Sequence, residues 1–163
     1  MASQIISISN ISYKNDESLR ILTAVLSKWF KNPKTLHFTS PDLRYPFNIN
    51  HWITSFYKEK KTETYIIKNK KWIIGHLSVL IHETRKSAHL FHLIIDDANR
   101  QKGYAEKLIR YVETQITENY DIQYITLKCV KKNFPAIALY QKMGFQKLKE
   151  KRCIKMIKNI GQN

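Results

Sequence analysis

The chain has 163 residues, of which 43% are hydrophobic and 25% are charged, and it contains two cysteines, four glycines and four prolines. This composition excludes a disordered or low-complexity chain, a collagen-like repeat and a disulfide-stapled scaffold. Because the length suits one folding unit, we expect a single domain over residues 1–163. No apolar run approaches the roughly 18 residues that a membrane span needs.

The charge is strongly positive. Lys and Arg total 28 against 13 for Asp and Glu, which gives a formal net charge of +15. Such a field attracts polyanions without identifying them, so nucleic acid, an anionic membrane surface and a phosphate-rich cofactor stay open. Lysines spread over solvated faces are the other explanation. The first residues lack the basic and apolar regions of a signal peptide, and the expected location is cytoplasmic.

The first part of the chain predicts one strand and two helices. Four isoleucines favour a strand within residues 4–13, and apolar residues spaced three and four apart predict a helix over residues 16–30. Three of the four prolines fall in residues 33–48, which favours a loop. A second helix is expected from Ile49, closed by the lysine-rich residues 58–61, because cations suit the negative end of a helix.

The periodicity then changes to that of strands. Runs rich in β-branched and aromatic residues predict an antiparallel meander over residues 64–68, 71–81 and 88–95. The remaining predicted elements are a helix at 103–119, a strand at 122–130, a helix at 135–143 and a pair of strands within 145–158. This order predicts an α/β fold in which helices cover a sheet of mixed strand direction.

The segment of residues 90–113 carries the clearest chemical signal. A buried strand is predicted to end at Ile95, and an amphipathic helix follows after a short polar loop. The loop and first helical residues read Arg100-Gln101-Lys102-Gly103-Tyr104-Ala105. Amides in the first turn of a helix lack partners within the helix and, with the helix dipole, form an anion site. Gly103 allows close approach of a phosphate, and Arg100 and Lys102 add charge, so a pyrophosphate site is predicted.

Two segments resemble motifs of the GNAT family of N-acetyltransferases. Residues 90–113 resemble motif A, which is written Q/R-x-x-G-x-G/A after a strand. Residues 125–145 resemble motif B, in which a strand and Asn133 precede the pattern A-x-x-L-Y-x-x-x-G-F, here Ala136 to Phe145. The order of elements along the whole chain is also similar. The resemblance implies a mixed, mostly antiparallel sheet that splays between its fourth and fifth strands and is flanked by about four helices.

The resemblance implies acetyl-CoA as the acetyl donor. No metal is expected, because the six histidines form no pair on one helix and the sequence has no Cys-x-x-Cys motif. In the family the pantetheine arm lies between the splayed strands and bonds to the backbone of the fourth strand, here at Leu93 and Ile95. The diphosphate is expected on the amides of Gln101 to Ala105, with Arg100 nearby. Asn133 matches a residue that bonds the pantetheine or orders the loop, although a plain helix N-cap also explains it.

The implied reaction is direct transfer to an amine through a tetrahedral intermediate. Tyr140 matches the family's usual acid for the departing thiolate, and packing of a half-buried aromatic ring is the alternative. A free phenol is a weaker acid than a thiol, and the difference in their pKa values corresponds to only about 2 kcal/mol. A hydrogen bond from the phenol to the developing thiolate charge is therefore enough to assist its departure. An amide on the strand of Leu93 and Ile95 is expected to hold the oxyanion.

The general base is less well marked. Deprotonating an alkyl amine of pKa about 10.4 at pH 7 costs about 4–5 kcal/mol, so a base is useful. His89 is expected on the strand face of the cofactor-binding positions, and a pKa of about 6.5 suits the task, whereas His92 is expected to point the other way. His76 and Glu83 are further candidates. Lys128 occupies a position at which some protein N-terminal acetyltransferases of the superfamily carry Glu.

The acceptor is not identified by any motif. A small amine, a protein or peptide amine and the amino group of a charged tRNA stay open within the enzyme hypothesis. The alternatives are a basic nucleic-acid-binding module on the same fold, which lacks a recognised motif, and a non-catalytic acyl-CoA sensor. No membrane partner is expected, and the chain is expected to be a monomer or a homodimer.

Overall fold

The computed structural model describes residues 4–58 and 60–161 of the chain. The seven strands of this described part are β1 (Ile6–Ile11), β2 (Thr62–Asn69), β3 (Trp72–His82), β4 (Ser87–Ile95), β5 (Tyr124–Val130), β6 (Gln146–Glu150) and β7 (Cys153–Asn159). Its five α-helices are α1 (Asp16–Trp29), α2 (Pro33–Thr39), α3 (Ile49–Phe56), α4 (Tyr104–Asn119) and α5 (Phe134–Lys142). A short 3-10 helix spans Asp97–Asn99.

The strands form one sheet in the order β1-β2-β3-β4-β5-β7-β6. The ladder pairs are antiparallel except for β4 with β5, which run parallel. The expected mixed, mostly antiparallel α/β fold is therefore confirmed. A parallel neighbour needs a crossover connection, and α4 supplies it between β4 and β5.

The expectation of a loop throughout residues 33–48 is wrong in its first part, where α2 forms. The prolines favoured a loop, but Pro33 occupies the first turn of α2, where a missing N–H costs nothing. The Asn32 side chain caps this helix by accepting a hydrogen bond from the Lys34 amide at 2.9 Å. The described part of the chain therefore has one helix more than the four expected.

Helices pack on both faces of the sheet. On one face, which we call the α4 face, α4 and α5 pack through side chains such as Leu108, Val112 and Ile137. On the opposite face, which we call the α1 face, α1, α2 and α3 pack through Leu26, Leu36, Trp52 and their neighbours. The amphipathic spacing of these helices explains the arrangement, because each has one apolar stripe to bury.

Asparagine side chains cap four of the five α-helices of the described chain. The caps are Asn15, Asn32, Asn48 and Asn133, and each accepts a hydrogen bond from an amide in the first turn. The exception is α4, whose N-cap is Gly103 and has no side-chain hydrogen bond. The first amides of α4 are thus left for another partner.

In the described part of the chain, no helix combines the length and apolar character that crossing a bilayer demands.

Candidate functional site

The site begins where β4 and β5 separate. Within the described chain, the two strands pair at three positions, from Ser87 with Tyr124 to His89 with Thr126. Beyond His89 the ladder ends, although β4 continues to Ile95 and β5 to Val130. This gap, which we call the strand gap, leaves one edge of β4 without a ladder partner. Such an edge accepts an extended ligand in the manner of an added strand.

A β-bulge interrupts β4 beside the strand gap. His76 pairs with Ile94 and Ser78 with Phe91, so two residues of β4, His92 and Leu93, lie opposite one residue of β3. His92 adopts a positive φ of 56° at this point. A bulge adds a residue to one strand and re-aims the side chains that follow it.

The bulge overturns the expected alternation of side chains along β4. His89 and Phe91 lie on the α1 face, with ring centroids 6.4 Å apart, and His92 also points to this face, where its ring stacks on Trp52 at 3.8 Å. Leu93 and the following Ile95 belong to the α4 face instead. The prediction that His89 shares a face with these two positions, and that His92 points the other way, is therefore wrong.

The loop after β4 ends directly in the uncapped helix. Gln101 has a φ of 61° and Gly103 a φ of 82°, so the backbone turns twice through the left-handed region before α4 begins. A Cβ placed on Gly103 would meet nothing within 4 Å. There is open space beside Gly103, directly before the amides of Tyr104 and Ala105 that begin α4. Successive amides in such a turn form an anion-binding concavity.

The charged side chains of this loop have different roles. Arg100 donates from Nε to the carbonyl of Ile95 at 3.0 Å and pairs with Asp97 at 3.2 Å, so it fastens the loop to the end of β4. Lys102 is exposed. Tyr104 is buried, and its hydroxyl donates to Gln4 at 2.8 Å. Tyr104 can therefore bind an anion only through its backbone amide.

Tyr140 and Asn133 lie on α5 and at its start, respectively. The Tyr140 ring is buried against Phe145, and burial, with a smaller contribution from the neighbouring Cys129, raises the pKa of the phenol above its ordinary value. Such a hydroxyl stays protonated at neutral pH and can donate a hydrogen bond. Asn133 caps α5, with its Oδ1 accepting from the Ala136 amide at 3.4 Å. The capping interpretation of Asn133 thus has direct geometric support.

His89 is half-buried at the mouth of the strand gap. Its Nδ1 lies 2.8 Å from the Thr126 hydroxyl. Burial, and then the charges of Lys128, His82 and Lys155, lower the pKa of His89 to about 4. The ring is therefore neutral at pH 7, and it is a weak base.

The other candidate bases are occupied. His76 is fully buried, its Nδ1 donates to the carbonyl of His92 at 2.8 Å, and its Nε2 accepts from the Tyr13 hydroxyl at 2.8 Å. Glu83 forms an ion pair with Lys61 at the surface. Both ring nitrogens of His76 are thus engaged, and Glu83 lies at the β3–β4 turn, at the end of β4 where β4 and β5 are still paired.

Sequence reasoning missed a buried polar cluster around His92. Its two ring nitrogens lie 2.7 Å from the Tyr57 hydroxyl and 3.0 Å from the Ser40 hydroxyl, and Tyr57 also contacts Ser78 at 2.8 Å. No local motif signals these contacts, because the partners of His92 are 35 and 52 residues away in the chain. Burial lowers the pKa of His92 well below its ordinary value, so this ring is also neutral.

Comparison with known proteins assigns the sequence to a family. Residues 24–145 match the family model described as the acetyltransferase (GNAT) family. The chain is similar to an N-alpha-acetyltransferase of Saccharolobus solfataricus, with 31% identity over 85 residues that cover 52% of this chain and 50% of that protein. This chain therefore spans about half the length of that relative.

Solved structures share the fold at low sequence identity. The PaiA N-acetyltransferase of Thermoplasma acidophilum, in complex with coenzyme A, has a TM-score of 0.71 and 18% identity, and the alignment covers 95% of this chain and 99% of that one. A spermidine N-acetyltransferase of Vibrio cholerae, in complex with CoA and spermine, has a TM-score of 0.71 and 16% identity, with 93% and 94% of the two chains covered.

Proposed function

Because the chain belongs to the GNAT family of acetyltransferases, we propose that it transfers the acetyl group of acetyl-CoA to a primary amine. The observation that carries this proposal is the continuity of the strand gap with the uncapped start of α4. An extended arm fits along a strand edge, and a diphosphate fits on free helical amides. CoA has both parts in this order. The PaiA relative, which was solved with coenzyme A, supports the same cofactor.

The residues present fit CoA in shape and charge. The edge of β4 at Leu93 and Ile95 would hold the pantetheine, and the amides of residues 101–105 would hold the diphosphate. Open space over Gly103 leaves room for the phosphates, and Lys102 is exposed beside it. Arg100 would act chiefly by fixing the loop, since the Ile95 carbonyl and Asp97 already engage its guanidinium. Bound acetyl-CoA supplies an activated acyl group as a thioester.

Two groups of the chain would stabilise the developing charges. An amide at the bulge near Leu93 would donate to the oxyanion of the tetrahedral intermediate. The Tyr140 hydroxyl would donate to the leaving sulfur. Since burial raises the pKa of Tyr140 further above that of a thiol, its role is a hydrogen bond to the thiolate rather than full proton transfer.

The proton of the amine is best removed after attack. A histidine with a pKa of about 4 cannot efficiently deprotonate an ammonium group of pKa about 10.4. Once the nitrogen has bonded to the carbonyl carbon, its proton becomes far more acidic, and a neutral His89 can accept it. Two protons therefore leave the acceptor. The ammonium group loses the first to solvent before attack, and we assign to His89 the removal of the second, after the C–N bond has formed.

The test is acetyl-CoA-dependent turnover with an amine panel. Acetyl-CoA should raise the melting temperature, and an amine should trigger release of free CoA thiol together with an acetylated product seen by mass spectrometry. Stabilisation without thiol release from any amine would favour the acyl-CoA sensor. Absence of both effects would refute the proposed function.

A further inference from the structure

The α1 face of β5, β6 and β7 lacks a helical cover in the described chain. The apolar cluster beneath α1, α2 and α3 draws its residues from positions 11 to 94, which ends at β4. On β5 and β7, the side chains that pack on the opposite α4 face include Leu127, Cys129, Ile154 and Met156. Because strand side chains alternate, Thr126, Lys128 and Lys155 project from the uncovered face.

Three lysines stand side by side on this uncovered face. Lys128 of β5 lies directly opposite Lys155 of β7, which in turn lies opposite Lys149 of β6. We call these three residues the lysine row. With strands about 4.8 Å apart, the row spans about 10 Å. Like charges directly opposed across strands are destabilising, and none of the three ammonium groups forms an ion pair with a carboxylate among the residues that the structure describes.

The lysine row starts at the wall of the strand gap. His89 is on the same face, joined to β5 through Thr126, and Lys128 is two residues further along β5, where the strands have separated. Lys128 and Lys155 lie close enough to His89 to contribute, after burial, to the lowering of its pKa. An acceptor that reaches the gap from the α1 face therefore meets a surface with uncompensated positive charge.

We propose that the lysine row binds an anionic group of the acceptor, so that the substrate is a small amine carrying a carboxylate or a phosphate near its amino group. The inference rests on the proposed acetyl transfer and names its substrate class. Charge-assisted hydrogen bonds from Lys128 and Lys155 would hold the anion and leave the amine over the gap. A polycationic amine would be repelled by the same row, in contrast to the spermidine acetyltransferase that shares the fold.

Binding of an anion would also assist His89. The charges of Lys128 and Lys155 contribute, after burial, to the low pKa of this histidine. A carboxylate or phosphate on these lysines offsets that contribution and raises the pKa of His89 toward the range in which it accepts a proton well. Acceptors that lack the anionic group would forgo this effect as well as the binding contact.

The first experiment compares matched acceptors by thiol release. One pair is alanine with alaninamide, which tests a carboxylate, and the other is phosphoethanolamine with ethanolamine, which tests a phosphate. Spermidine represents the polycationic amines. The expected result is a kcat/KM at least about tenfold higher for the anionic member of one pair.

The double variant Lys128→Met with Lys155→Met should remove this preference. The control, Lys70→Met with Lys71→Met at the β2–β3 turn, changes the net charge equally and should leave the preference intact. Preferential acetylation of the neutral members or of spermidine would overturn the inference.

The second experiment needs no turnover. Malonate and inorganic phosphate are titrated by calorimetry into protein saturated with CoA, so that the predicted diphosphate site is filled. At least one ion should bind, with an affinity at least about tenfold weaker in the Lys128 and Lys155 double variant and unchanged in the Lys70 and Lys71 control. Equal binding by the three proteins, or none, would refute the lysine row as an anion site. A protein that binds no CoA and acetylates nothing would refute acetyl transfer itself, and with it the substrate class. The ion titration without CoA would then still decide whether the lysine row is an anion site.

Discussion

Acidification should destabilise this protein through His76. The side chain is completely buried, and burial lowers its pKa from 6.5 to about 4, opposed in part by the hydrogen bond to the His92 carbonyl. In the unfolded chain the ring titrates near 6.5. Because the unfolded state then binds more protons between these two values, stability is fully present above pH 6.5 and is lost as the pH falls toward 4.

The size of the effect follows from the two pKa values. A shift from 6.5 to about 4 corresponds to a loss of about 2 kcal/mol in the free energy of unfolding between pH 7 and pH 5 from His76 alone. His92 and His89, whose pKa values are also lowered, add losses of the same sign. The sum is a large part of the stability of a typical domain.

Urea unfolding at pH 7 and pH 5, followed by tryptophan fluorescence, measures this loss. In His76→Gln the amide can still donate to the His92 carbonyl and accept from Tyr13, but it does not titrate, so the difference between the two pH values should shrink by about 2 kcal/mol. The exposed His37→Gln is the control and should behave as wild type. Equal pH sensitivity of His76→Gln and wild type would refute the reasoning.

Four further substitutions test the site and the core. Tyr140→Phe should lower kcat by about a hundredfold while acetyl-CoA affinity is retained, and an unchanged rate would remove the assigned role. Gly103→Leu should cost about 1–2 kcal/mol in stability because of the positive φ at this position. It should also weaken acetyl-CoA binding at least about tenfold by calorimetry, whereas Gly144→Leu, a control at another glycine with positive φ, should not. Asn133→Ala should cost about 1 kcal/mol as a lost N-cap, and unchanged acetyl-CoA affinity would exclude a contact with the pantetheine. Leu108→Ala, at a fully buried position of α4, should cost about 2–5 kcal/mol in urea unfolding, and a smaller loss would contradict its packing in the core.

The elements of the fold were largely predictable because their signals are local. Apolar spacing gave α1 and α4, and β-branched runs gave the strands, since each pattern depends on which side of one element is buried. The exception is α2, where the prolines of residues 33–48 suggested a loop. Asn32 and Pro33 form a good helix start, so a closer reading of capping would have found this helix.

The sequence by itself determined the position of the loop at Gly103 and of the helix start that follows it. Both features depend on only a few consecutive residues. The sequence also determined the family resemblance. The tertiary structure decided which side chains face the acceptor. The bulge at His92 places this residue and His89 on one face, and the strand register brings Lys128, Lys155 and Lys149 together. Register and bulges arise from pairing between distant segments, and no periodicity within one segment encodes them.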